Sequence, residues 1–265
     1  MRTTQKQRAG IVHVGVLALL ACATQVQAQN IVGIGIDGSN NLVFVWYDNM
    51  TVSAGSSRNL SSKRALYSYK LPQGKSPQDI VGMGIDDGNH FVFAWYRDGT
   101  VSAGSSRDLG SRRSPRSYRL APGKTPNDIV DVGIDGSNHL VVAWYRDGTV
   151  SYGSSTDLSS KRAPTHYTLP PGKTPEDILG IGVDGFIYGE DGDDFEMDLV
   201  DLADAALSGD DEKREKELLE GVVTITRRAF GGRGSLCFAW YRDGTVSAGS
   251  STNLAEVRAP YGYTR

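Results

Sequence analysis

The residues of this chain best suited to chemistry recur at matching places along it. Arg64, Arg113, Arg162 and Arg258 are each followed five residues later by a tyrosine: Tyr69, Tyr118, Tyr167 and Tyr263. Trp46, Trp95, Trp144 and Trp240 each begin a Trp-Tyr pair. An aromatic face that packs on C–H groups, beside a guanidinium that bonds hydroxyls, is chemistry for holding a sugar. Four such copies would act together through multivalency. The competing expectation for the same residues is packing, with rings buried between sheets and arginines paired with turn aspartates.

Other motifs lead away from catalysis. Gly33-x-Gly35-x-x-Gly38 and Gly180-x-Gly182-x-x-Gly185 match the dinucleotide fingerprint. Phosphate binding there needs a helix N-terminus after the glycines, whereas the first match runs into the strand-like Leu42–Tyr47. Gly74-Lys75-Ser76, Gly123-Lys124-Thr125 and Gly172-Lys173-Thr174 mimic the end of a P-loop. The glycine required five residues earlier is instead Tyr69, Tyr118 or Tyr167, so these segments are expected to be turns between units. No His-Glu-x-x-His, nucleophile elbow or Cys-x-x-Cys occurs, and His90 and His139 share a position filled elsewhere by Asn41 and Ser235. His166 stands alone. No enzyme is expected. Asp37, Asp86, Asp135 and Asp184 recur at a first turn, with Asn40, Asn89 and Asn138 nearby. Ca²⁺ takes about 6–8 oxygen ligands, and one Asp with one Asn falls short, so Asx-turns are expected, with no metal and no cofactor.

The elements that must position these residues are set by a repeat. Trp46, Trp95 and Trp144 are 49 residues apart, and Trp240 follows 96 later. Four copies result, Asn30–Asp79, Ile80–Asp128, Ile129–Asp177 and Ile178–Arg265, the fourth with about 47 extra residues. Within the second copy, Ile80–Asp86 and Phe91–Tyr96 read as strands, the latter apolar on both faces. Arg97-Asp98-Gly99 is a tight hairpin, Thr100–Gly104 a third strand and Ser117–Leu120 a fourth. Pro122 to Pro126 then breaks the chain before the next copy.

Four strands per period of roughly 40–50 residues is the pattern of a propeller blade. Over residues 30–265 the chain resembles β-propeller repeat proteins in general, without the Gly-His and Trp-Asp of WD repeats or the double Gly of kelch repeats. The resemblance implies an all-β fold of four blades in one chain, or eight by pairing of two chains as a homo-oligomer. Ile31–Asp37 is a candidate to complete the last blade and close the ring, which would remove exposed sheet edges.

Residues 1–28 have the plan of a secretory signal peptide: Arg2, Lys6 and Arg8, then an apolar run from Ile11 to Cys22, then Val26-Gln27-Ala28. Export with cleavage after Ala28 is expected, to a secreted or periplasmic location. The alternative is a lipoprotein anchored at Cys22, since Leu19-Leu20-Ala21-Cys22 resembles a lipobox. Cleavage leaves only Cys237, so no intramolecular disulfide can form. No transmembrane segment is expected, because the apolar run is too short to span a bilayer.

Residues 186–232 break the pattern. They carry 14 acidic and 5 basic residues, a net of −9, leaving +6 for the rest of a chain whose total is −3. Phe195, Leu199, Leu202 and Ala206 recur at helical spacing, so a partly helical acidic insertion between the first two strands of the fourth blade is expected. Glu190, Asp191, Asp193 and Asp194 lack the Gly and distant Glu of an EF-hand loop. The near-neutral total argues against nucleic acid as a partner. The functional expectation is a secreted, non-enzymatic protein that binds a glycan or other extracellular ligand at repeated sites. The alternative is a cell-envelope protein-interaction scaffold that uses the insertion as its contact arm.

Overall fold

The computed structural model describes residues 29–40, 42–86, 90–136, 139–185 and 235–265. The signal peptide, its alternative lipid site at Cys22 and the acidic insertion lie outside them. Among the described residues sixteen strands form four antiparallel sheets of four, each in sequence order from the channel outward. The first blade is β1 (Ile31–Asp37), β2 (Leu42–Tyr47), β3 (Thr51–Gly55) and β4 (Arg64–Ser68). The second is β5 (Ile80–Asp86), β6 (Phe91–Tyr96), β7 (Thr100–Ser105) and β8 (Asp108–Ser117). The third is β9 (Ile129–Asp135), β10 (Leu140–Tyr145), β11 (Thr149–Ser154) and β12 (Asp157–His166). The fourth is β13 (Ile178–Asp184), β14 (Leu236–Tyr241), β15 (Thr245–Ser250) and β16 (Asn253–Gly262).

The four inner strands pack around an axis, and β13 returns against β1. The ring therefore closes within one chain as a four-bladed propeller, without recourse to a second copy. Closure does not use the exchange expected of Ile31–Asp37. That strand pairs with β2 of its own blade, Ile34 opposite Val45 and Ile36 opposite Val43. Instead each blade hands its exit segment to the outer hairpin of the next through a short parallel bridge: Lys70 with Asp108, Arg119 with Asp157, Thr168 with Asn253. The C-terminus makes the fourth joint in the same way. Thr264 N–H donates to the Arg58 carbonyl (2.7 Å), and Leu60 N–H donates to the Thr264 carbonyl (3.0 Å). The fourth strand of each blade also differs from expectation. In the second blade it is Asp108–Ser117, earlier than Ser117–Leu120, because Tyr118 and Arg119 are needed for the joint.

Stability comes from four apolar seams between blades, the last joining Ile34, Val45 and Leu60 to Phe238, Trp240 and Val246. The Gly-x-Gly of the inner strands lets neighbouring blades approach closely around the channel. A side chain at Gly84 would meet Ile134 of the next blade at 2.7 Å, and one at Gly133 would run into Val183. The decoy fingerprint thus has a packing cause. Gly99, Gly148 and Gly244 sit at φ near +80° in the Arg-Asp-Gly hairpins, a conformation that a Cβ disfavours.

The P-loop mimics are turns between blades, as expected, and they carry a latch. Lys75, Lys124 and Lys173 reach forward to Asp98, Asp147 and Asp243 of the next hairpin. Each ammonium also lies over a tyrosine of that blade, 4.7 Å from the ring of Tyr96 in the first case. After each turn, a short 3₁₀ segment opens on Pro77, Pro126 or Pro175. Its cap residue (Ser76, Thr125 or Thr174) donates both N–H and hydroxyl to the aspartate three residues on.

Candidate functional site

The residues singled out by spacing fall into two groups. The four indoles are fully buried. Each Nε1 crosses a seam to donate to a serine carbonyl of the next blade: Trp46 to Ser106 (3.2 Å), Trp95 to Ser155 (3.0 Å), Trp144 to Ser251 (2.9 Å) and Trp240 to Ser57 (3.0 Å). With no face left open, they staple blades together and present nothing to a ligand, which corrects their candidacy as binding residues. Tyr69, Tyr118, Tyr167 and Tyr263 turn inward too. Their hydroxyls donate to the carbonyls of Tyr47, Tyr96, Tyr145 and Tyr241 at 2.9–3.2 Å. Burial raises the first three phenols well above the usual tyrosine range, so these groups are neutral structural donors.

The arginines go the other way. Arg64, Arg113 and Arg162 are exposed and Arg258 is half-buried. All four occupy one register position on the outer strand, opposite Ala54, Ala103, Tyr152 and Ala248. The fold therefore parts each arginine from the tyrosine five residues later. Nor do these arginines pair with the turn aspartates, which the latch lysines engage.

A different aromatic set meets arginine at the outer rim. Tyr67 of β4 and Tyr261 of β16 share a register position two strands out from the channel-side Trp-Tyr pair. The Tyr67 hydroxyl donates to Ser106 Oγ of the next blade (3.1 Å), and the Arg107 guanidinium stacks 4.6 Å from its ring. Tyr261 bonds Ser57 Oγ of the first blade (3.4 Å), with Arg258 at 4.0 Å and Arg58 at 5.3 Å from its ring. Burial and the neighbouring Arg58 charge both lower the Arg258 pKa, while the Tyr261 side chain opposes them. Between the third and fourth blades the same chemistry comes from β11: Tyr152 shares a 2.8 Å hydrogen bond with Ser251, and Arg162 stacks over its ring. The seam between the second and third blades has Arg116 at the tyrosine position and Ala103 in place of Tyr152, so it lacks the ring. Sequence spacing missed Tyr67, Tyr152 and Tyr261 because none recurs in all copies: Tyr67 and Tyr261 share a position held by Arg116 and Thr165 in the other blades, and Tyr152 stands at one held by alanine.

The two mouths of the channel differ. Where the inner strands end, Asp37, Asp86, Asp135 and Asp184 are buried. Asp37 accepts from Ser39 Oγ (2.8 Å) and Asn40 Nδ2 (2.9 Å), both side chains of its own turn. The next blade adds a partner: His90 Nδ1 lies 3.3 Å from Asp37, His139 Nδ1 2.8 Å from Asp86, and Ser235 Oγ bonds Asp135. His90 and His139 occupy turns at φ of 52° and 56°. Among the described residues no group of three or more His, Cys, Asp or Glu is placed to hold a metal ion.

Inside the channel stands Asp131, which belongs to no recurring motif. Gly33, Gly82 and Gly180 fill its position in the other blades. The carboxylate is fully buried and accepts N–H bonds from three blades: Met83 (3.3 Å), Val132 (2.8 Å) and Ile181 (2.6 Å). Desolvation pushes its pKa up to about 7 against those bonds, which favour the charged form. One departure from Gly-x-Gly, Val130-Asp131-Val132-Gly133, was the available signal.

No family model matches the sequence, and neither does any curated protein. Among solved structures, the chain is similar to the WD40 β-propeller domain of Doa1, at 7% identity and a TM-score of 0.34, covering 85% of this chain and 53% of that one. It is similar to U3-55K at 10% identity and a TM-score of 0.29, covering 89% and 52%. For the RRP9 WD40 repeats the values are 9% identity, 0.29, and coverage of 89% and 51%. The chain thus spans about half the length of the solved structures it matches. Among the described residues no helix is long and apolar enough to cross a membrane.

Proposed function

We propose that this propeller is a non-enzymatic binding protein that recognises a glycan at the crevices between its blades. The observation that carries this reading is the recurrence, at three of four seams, of one constellation at the outer rim. A tyrosine is pinned through its hydroxyl to a serine of the next blade, with a guanidinium stacked on its ring. The pinned ring fixes the guanidinium plane, and the exposed Arg107 and Arg162 can turn N–H donors to sugar hydroxyls or a sugar carboxylate. Spacing around one ring lets weak sites act together on a multivalent surface. Export to a secreted or periplasmic location rests on the sequence of residues 1–28. A glycan array with hapten-inhibited agglutination tests the proposal. Binding should fall in Tyr67→Ala and Arg107→Ala and be abolished when Tyr67, Tyr152 and Tyr261 are all replaced by alanine. Absence of glycan binding by folded wild-type protein would reject it.

One observation favours a second reading, a protein-interaction scaffold. Gly185 and Ser235, the described residues flanking the acidic insertion, lie at the channel mouth where the four aspartates are gathered. An arm of net charge −9 would leave and rejoin the ring there. Deleting residues 186–232 should then abolish capture of a basic partner and leave the unfolding midpoint unchanged; retained capture would reject this reading.

A further inference from the structure

The opposite mouth, where the inner strands begin, opens into a cavity of about 400 Å³. Val32, Val81, Val130 and Leu179 give it an apolar throat, one residue from each blade. Asp131 lies in its lining with three N–H groups already on its carboxylate. Around the rim stand Arg97, Arg146 and Arg242, the first residues of the three Arg-Asp-Gly hairpins. In the fourth quadrant that position is Asp48, held by the backbone N–H and side-chain amide of Asn30.

The rim arginines are oriented but not neutralised. Arg97 Nη1 donates to Asn127 Oδ1 (2.6 Å), Arg146 Nε to the Asn127 carbonyl (3.1 Å) and Arg242 Nε to the Glu176 carbonyl (2.9 Å). Among the described residues none of the three is in an ion pair. The adjacent acids have other partners. Asp98, Asp147 and Asp243 turn to the latch lysines, and Asp79, Asp128 and Asp177 turn to their own cap residues. Glu176 is the one other acidic side chain of the lining. Each guanidinium has five N–H donors and gives one to a tether, which leaves a planar fork for a ligand. The three guanidinium charges outnumber the Glu176 side chain at the rim, and a low-dielectric cleft focuses their field into it, opposed in part by Asp48 and by Asp131 when ionised.

We propose that this mouth binds a small organic polycarboxylate, a compact molecule with at least two carboxylates on a short carbon body. Each carboxylate takes a fork bidentately, the geometry for which arginine is suited and lysine is not. The carbon body enters the valine and leucine throat. The cavity has the size of a small-molecule site. This site is separate from the outer crevices, on different strands and with different side chains, so it stands or falls independently of glycan recognition.

Calorimetric titration of the purified full chain with tricarballylate at low salt tests it, with the corresponding triamide as the uncharged control. One saturable site is expected for the acid and none for the amide. Arg146→Gln and Arg242→Gln should each weaken binding about ten-fold or more, the equivalent of one charge-assisted hydrogen bond. Arg146→Lys, which keeps the charge and loses the fork, should also weaken it, and Arg113→Gln on the outer strand should leave it unchanged. Absence of saturable heat with wild type, or equal weakening by Arg113→Gln, would overturn the proposal.

Discussion

Asp131 makes the ring's stability depend on pH in a direction opposite to that of ordinary surface carboxylates. Its pKa rises from the usual 3.8 in the unfolded chain to about 7 in the folded protein. At pH 8 the group is ionised in both states. At pH 5 it is protonated in the folded ring and still ionised in the unfolded chain, so folding takes up a proton. The contribution is fully present below pH 3.8 and is lost as pH rises through 7. Integrating the uptake from pH 8 to pH 5 gives on the order of 2–3 kcal/mol of added stability. With a urea dependence of about 2–3 kcal/mol/M, the midpoint should rise by about 1 M. The carboxylates of Asp79, Asp98, Asp128, Asp147, Asp177 and Asp243 are all lowered by their partners, so their effects fall below pH 3.8, outside this window. Asp131→Asn keeps the shape and removes the titration. Urea unfolding of both proteins at pH 5, 6, 7 and 8 isolates this contribution, because every other group is common to the two proteins. A wild-type minus variant difference that stays flat across that range would refute the reasoning.

Three further outcomes follow from the packing. Trp95→Phe removes the bond to the Ser155 carbonyl across a seam and should cost about 1–3 kcal/mol in chemical unfolding while leaving any ligand affinity unchanged. Deleting Tyr263–Arg265 removes the final joint to Arg58 and Leu60 and the Tyr263 hydroxyl bond, which should lower stability by about 2–4 kcal/mol at roughly 0.5–1.5 per bond, seen as a fall in Tm. Burial, with Asp135 and Asp184 nearby, raises the Cys237 thiol far above its ordinary value. Ellman's reagent at pH 8 should therefore leave it unmodified until denaturant is added.

The blade was legible because its constraints repeat. Trp-Tyr at a 49-residue period, the Arg-Asp-Gly hairpin and the proline-bounded turns each answer to one local requirement, met four times or nearly so. The joints were not legible. A bridge such as Lys70 with Asp108 needs only backbone groups, so no side-chain pattern announces it, and the fourth strand was placed too late for that reason. The same limit holds for the site. Recurrence drew attention to Trp46, Trp95, Trp144, Trp240 and the inward tyrosines, yet a side chain needed in every blade is one the fold itself needs, and such side chains are buried.

Departures from the repeat carry the complementary information. A propeller of identical blades has a fourfold channel with four equal positions at every level, which suits no ligand lacking that symmetry. Asp131 stands among three glycines, Asp48 among three arginines, and Tyr152 among three alanines, and each departure faces the channel, its mouth or an outer crevice. Asp131 and Tyr152 bond across blades, yet the equivalent glycines and alanines let the other blades pack without such bonds. Asp131 also carries a desolvation cost that a glycine would avoid, so its position in the channel is not explained by stability at neutral pH. The arginine rim follows the same logic from the other side. Three copies of the hairpin give the aspartate to a lysine latch and turn the arginine to the axis, and the one copy that lacks the arginine leaves an asymmetric triad of forks. An asymmetric positive rim above an apolar throat fits an asymmetric anion, whereas a purely structural channel would have no reason to leave three guanidinium groups without carboxylates when six aspartates lie beside them.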